Sequence, residues 1–168
     1  MTEPEFRQAF NDHKDAVYGF ALRMTGSAAI AEDVAQDCFL ELLRGPRHFD
    51  PGRGPLRRYL LGVARNLVFR YWRSARRLDP IGDYDLPAIA PDAAADGITA
   101  LISAAVATLP PLQREALLLF EYEGFTLDEI ATLVDADVGT VKSRLHRARE
   151  RLRHMLAPLR NGSGRELP

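Results

Sequence analysis

The stretch LDEIATLVDADVGTVKSRLHRARERLR, residues 127–153, decides the fold. Ile130 and Ala131 mark the apolar side of a short helix over 127–134. After the connector DAD, a second helix is expected over 138–154, with Asp137 as its cap and no proline or glycine between Gly139 and residue 154. Val141, Leu145, Ala148 and Leu152 recur at helical spacing and form one apolar face. Two short helices joined this tightly have helix-turn-helix spacing, in which the second helix enters the major groove of DNA. Asp135 stands where glycine is common in such turns, and aspartate tolerates the left-handed conformation better than most residues.

Residues 137–153 carry seven basic side chains, counting His146, against two acids. Lys142, Ser143, His146 and Arg147 share a face beside the apolar one, with Thr140 and Arg144 flanking them. They form a group of donors able to reach base edges and phosphates. A charge run alone reads more readily as a solvated face. The helix-turn-helix spacing moves the balance to DNA.

The 168-residue chain has a net charge of −1, which conceals a strong segregation. Residues 1–78 carry +4, residues 79–135 carry −10 and residues 136–168 carry +5. Two basic regions around an acidic one point to two polyanion contacts and a connector held off the nucleic acid. The connector is LDPIGDYDLPAIAPDAAAD, residues 78–96, with three prolines, five aspartates and no helical or strand period. No apolar run is long enough to span a bilayer, and the N-terminus lacks signal-peptide character, so a cytoplasmic protein without membrane insertion is expected. The single cysteine, Cys38, falls between Val34 and Leu42 at helical spacing and reads as a small buried hydrophobe.

Ahead of the linker, Phe10, Val17, Ala21 and Met24 outline one amphipathic helix, and Ile30, Val34, Cys38 and Leu42 a second, with TGS as the turn between them. A third helix starts near Leu56 and continues through Leu60, Val63, Ala64, Leu67 and Tyr71. Opposite that stripe lie Arg58, Arg65, Phe69, Trp72, Arg73 and Arg76, with Asn66 at the edge. Arginines interleaved with exposed aromatics suit an unpaired strand, because guanidinium groups hold phosphates while rings stack on bases. Periodicity leaves open the alternative that Phe69 and Trp72 pack against the first two helices. The expected fold is all-α: a helical domain at 1–77, the linker at 78–96, a helix-turn-helix domain at 97–156 and a flexible tail at 157–168.

The segments AEDVAQDCFLELLR (31–44), YLLGVARNLVFRYWR (59–73), LPPLQREALLLFEYEGFTLDEIA (109–131) and VGTVKSRLHRARERL (138–152) resemble bacterial RNA polymerase sigma factors of the extracytoplasmic-function (ECF) group. The resemblance implies a protein that binds core RNA polymerase and directs it to promoter DNA, commonly under an anti-sigma factor. It assigns Asp33, Gln36, Asp37 and Phe39 to polymerase docking. It assigns the loop RHFDPGRGP (47–55) and Asn66 to the minus-ten element and a flipped base, with Phe49, Arg53, Tyr59, Arg65, Phe69, Trp72 and Arg73 as further candidates there. It assigns Thr140, Lys142, Ser143, Arg144, His146 and Arg147 to the minus-thirty-five element. Tyr59 replaces the family's usual tryptophan, and Arg70 a frequent aspartate.

Two rivals come from other classes. A self-sufficient helix-turn-helix regulator accounts for residues 109–153 but leaves 31–44 and the aromatic helix unused. An enzyme with a DNA-directed module lacks support, because the N-terminal half has no metal-ligand cluster, glycine-rich phosphate loop or nucleophile–base set. No metal or cofactor is expected.

Overall fold

The computed structural model describes residues 1–45, 49–78 and 97–162. Arg47 and His48 of the expected loop, and the linker from Asp79 to Asp96, lie outside the described residues. No strand occurs among those described. The chain divides into two compact units, Met1–Pro87 and Ala88–Pro168.

The first unit contains helices α1 (Glu3–Thr25), α2 (Ala28–Arg44) and α3 (Leu56–Leu78), each packed on the other two. Thr2 and Glu5 close a reciprocal capping box at the start of α1, worth about 1 kcal/mol by analogy with other caps. Gly26 ends that helix in the left-handed conformation, at φ 66°, where a side chain would be strained. Ser27 then caps α2 by accepting a hydrogen bond from the Ile30 amide at 3.2 Å. Val17, Phe20, Ala21 and Met24 of α1 and Val34, Cys38, Phe39 and Leu42 of α2 are buried where the two helices pack. Cys38 donates to the Leu60 carbonyl at 3.3 Å, and burial pushes its thiol pKa up to about 12. It is the small buried hydrophobe its spacing implies.

On α3 the buried face differs from the expected stripe. Tyr71 is 45% exposed, whereas Trp72 is only 8% exposed. The reason is that α3 packs on both α1 and α2, so its apolar face is broad. Ala64, Val68 and Trp72 follow one another at four-residue spacing along it, flanked by Leu60 and Leu61.

The second unit contains α4 (Gly97–Ala107), α5 (Pro111–Leu117), a π-helical segment (Leu118–Tyr122), α6 (Leu127–Val134) and α7 (Val138–Gly162). Helices α4, α5 and α6 all pack on α7. The π-helical segment is closed by the Glu123 amide donating to the Leu118 carbonyl at 3.0 Å. Arg114 is fully buried, and its Nη2 donates to the carbonyls of Ala107 at 2.6 Å and Leu109 at 2.8 Å. A cation is thereby set at the negative end of α4. Burial lowers its pKa to about 10, so it remains charged at neutral pH.

Thr126 and Glu129 form a second capping box, at the start of α6. Asp135 adopts φ 54° and ψ 53°, the left-handed geometry expected of it, and the Ala136 amide donates back to the Ala131 carbonyl at 3.0 Å. Asp137 accepts the first backbone bond of α7, from Val141 at 3.1 Å. This helix does not give way to a tail at residue 157: it continues to Gly162 with Pro158 inside it. Leu152, Leu156 and Leu159 extend its apolar stripe along a groove shared with α4 and the π-helical segment, which favours helix past the proline.

Candidate nucleic-acid interfaces

At the start of α7, Val141, Leu145 and Ala148 are buried, and this fixes which side of the helix faces solvent. Lys142, Ser143, His146 and Arg147 are exposed and together line one shallow depression. Thr140 and Arg144 are half-buried at its margins. Further along, Arg149 donates to Glu121 at 2.7 Å and lies 5.2 Å from the centre of the Phe120 ring. It ties α7 to the π-helical segment. Arg153 pairs with Glu150 on its own helix. An exposed cluster over the first turns of α7 is thus followed by two arginines, Arg149 and Arg153, engaged with acids.

In the first unit, the 3-10 turn Pro51–Arg53 follows Asp50, whose Oδ1 accepts from the Gly52 amide at 2.9 Å. The Arg53 amide donates to the Asp50 carbonyl at 3.0 Å, and its guanidinium lies 3.7 Å from the same carboxylate. Phe49 packs against Tyr59 with ring centroids 5.5 Å apart, anchoring the loop on α3. Burial raises the Tyr59 phenol pKa. Tyr59, Asn66 and Arg73 are seven residues apart and so fall on one line along α3, with Asn66 and Arg73 exposed. Beside Asn66, Arg65 donates to its Oδ1 at 3.4 Å and stacks over Phe69 at 4.5 Å. Phe69 is half-buried and meets Trp72 edge-on, with centroids 5.2 Å apart. Trp72 itself is a core residue and offers no face for a base.

On α2, Asp33, Gln36 and Asp37 are exposed. Phe39, grouped with them from the sequence, is only 4% exposed, because it packs between Phe10 at 4.9 Å and Phe6 at 6.3 Å. Phe10, read as core, is 40% exposed and joins Lys14, Tyr18, Glu32 and Gln36 around a depression between α1 and α2. Its register on α1 alone gives no sign of this, because the depression exists only once α2 is in place. In the second unit, sequence reasoning also missed the apolar groove lined by Ile102, Val106, Tyr122, Leu152 and Leu156. A signal was present in Ile98, Leu101 and Ile102, three large apolar residues on a short helix that remain exposed. Among the described residues, no group of three or more His, Cys, Asp or Glu side chains could hold a metal ion, and no helix is long and apolar enough to cross a membrane.

Residues 9–78 match the family model for Sigma-70 region 2, and residues 99–152 that for Sigma-70, region 4. The ECF RNA polymerase sigma factor SigL of Mycobacterium tuberculosis is 35% identical over 158 residues, covering 91% of this chain and 89% of SigL. The chain belongs to the ECF RNA polymerase sigma factor family. A similar match, 34% identical, is found with ECF sigma factor SigE of Mycolicibacterium smegmatis, covering 92% of this chain but 62% of that longer protein. Among solved structures, the sigma factor RpoE in complex with the anti-sigma factor NepR, from Bartonella quintana, superposes with a TM-score of 0.77 at 27% identity, covering 91% of this sigma factor and 97% of that chain. CnrH, solved with the cytosolic domain of CnrY, shares the fold at a TM-score of 0.70 and 24% identity. This sigma factor is therefore a DNA-binding transcription initiation factor, with region 2 formed by α1–α3 and region 4 by α4–α7.

Proposed function

We propose that this ECF sigma factor recruits core RNA polymerase through α2 and reads its promoter at two places. Asp33, Gln36 and Asp37 dock on polymerase, and their exposure on one helix beside the Phe10 depression supports that role. The loop from Phe49 to Gly54, with Tyr59, Arg65, Asn66, Phe69 and Arg73, selects and opens the minus-ten element. Lys142, Ser143, His146 and Arg147, with Thr140 and Arg144 beside them, read the minus-thirty-five element in the major groove. The observation that carries this division is the exposed four-residue cluster on the second helix of a helix-turn-helix. Polymerase performs the catalysis, so the sigma factor is not itself an enzyme, and it works in the cytoplasm.

An anti-sigma factor holds the protein inactive until a signal arrives. Support comes from the structure of its relative RpoE with NepR and from the apolar groove beside α4, a surface suited to a partner protein. Run-off transcription with purified core on a promoter library tests the central proposal. Initiation at a defined promoter class is expected, with Gln36→Ala and Asp37→Ala weakening core binding while the helical circular dichroism is unchanged. Sequence-specific DNA binding that never supports initiation with core would instead identify a self-sufficient regulator.

A further inference from the structure

The side chain of Arg58 turns back toward the loop, whereas Arg70 and Arg73 of the same helix are exposed. Arg58 is half-buried, and its Nη2 donates to the Arg53 carbonyl, bridging from the first turn of α3 to the end of the 3-10 turn. The next residue, Gly54, has φ 134° and ψ −179°, a conformation essentially confined to glycine. A Cβ there would stand 2.7 Å from Arg58 Nη2 and 2.9 Å from its Cζ, so the guanidinium occupies the space a side chain would need. Together with the Asp50–Gly52 bond and the Phe49–Tyr59 contact, this braces both ends of the turn from α3.

We infer that Arg58 is a positioning residue for minus-ten selectivity: its guanidinium latches the backbone at Arg53–Gly54 and presets the shape of the loop that meets the promoter. The inference rests on the assignment of that loop to the minus-ten element. A loop fixed before DNA arrives retains its discrimination between bases, whereas a loose one reaches several bases with similar ease. Arginine suits the task because its flat, multi-donor head can hold a carbonyl and fill the plane beside Gly54 together.

The test uses the full-length protein with core polymerase and variants Arg58→Ala, Arg58→Met and Arg58→Lys. Methionine keeps much of the apolar stem without the donor, and thermal unfolding checks that each variant is folded. Amide exchange at Gly52 and Gly54 is expected to accelerate in the alanine and methionine variants and to recover in part with lysine. In transcription from promoters differing at single minus-ten bases, the ratio of best to second-best base should fall about tenfold in the same two variants. Core affinity and minus-thirty-five preference should not change. Unchanged exchange, or an unchanged base ratio in a folded variant, overturns the inference. A uniform loss on every promoter with a shallower salt dependence also overturns it, making Arg58 a phosphate contact. Replacing residues 49–53 by a relative's loop in the wild-type background separates the two levels. If that exchange shifts the preferred base while Arg58→Ala does not, only the latch fails; if it shifts nothing, the loop is not the minus-ten reader.

Discussion

Trp72 shows how a single side chain can be recruited by the core away from a surface role. It stands among arginines in the sequence, yet it is 8% exposed and braced edge-on by Phe69. Truncating a buried aromatic of this kind costs about 3–5 kcal/mol. Trp72→Ala is therefore expected to lower the stability of the first unit by that order in urea denaturation. Phe69→Ala, at a half-buried ring that carries the Arg65 guanidinium, should cost less and act more on strand opening. Equal stability of Trp72→Ala and wild type would return the indole to the surface. Phe39 makes the same point on α2: its neighbours Asp33, Gln36 and Asp37 are polar, but its own direction is set by Phe6 and Phe10 of the facing helix. Arg58 was legible as one basic residue among several. Its bond to the Arg53 carbonyl depends on the path of the loop, which a list of residue types does not contain.

Helix α7 carries two kinds of basic side chain along its length, and the roles proposed for them can be measured separately. Arg147 belongs to the exposed cluster near its start, whereas Arg153 lies further along and pairs with Glu150. Arg147→Ala is expected to relax preference at one or two minus-thirty-five base pairs, by about 1–3 kcal/mol of discrimination. Arg153→Ala should leave preference intact and lower affinity only modestly, most visibly at low salt. Binding to a panel of upstream sequences at two salt concentrations checks both; an equal loss on all sequences for Arg147→Ala would mark a phosphate contact. The elements most legible in sequence were α6 and α7, because a regular apolar period, a short connector and a left-handed aspartate all agree there. The end of α7 was not, since Pro158 signals a stop locally while Leu156 and Leu159 find apolar neighbours on α4 and the π-helical segment only in the folded unit. The breadth of the buried face of α3 is hidden in the sequence for a related reason: a helix packed on two partners has a wide buried arc, and periodicity fixes its centre poorly.

Across the whole molecule, charge is partitioned more sharply than structure. Residues 79–135 carry −10 between regions of +4 and +5, and Asp79, Asp83, Asp85, Asp92 and Asp96 supply half of that. Such a block is expected to repel DNA from the free protein by summed field rather than by contact. Changing these five aspartates to asparagine is expected to tighten non-specific DNA binding of the free sigma factor several-fold at low salt, with the difference shrinking as the Debye length falls to about 8 Å at physiological ionic strength. Fluorescence anisotropy with a random duplex measures this, and no change would show that the middle segment lies too far from bound DNA to matter. The packing of α1, α2 and α3 on one another within Met1–Pro87 also has a consequence during biosynthesis. Domains fold as units as they leave the ribosome, and at about 5–20 residues per second the remaining Ala88–Pro168 takes roughly 4–16 s to be made. For part of that time each nascent chain presents a finished α1–α3 unit before its helix-turn-helix unit has been translated, so a regulator that recognised the first unit could capture the protein while the second is still being made.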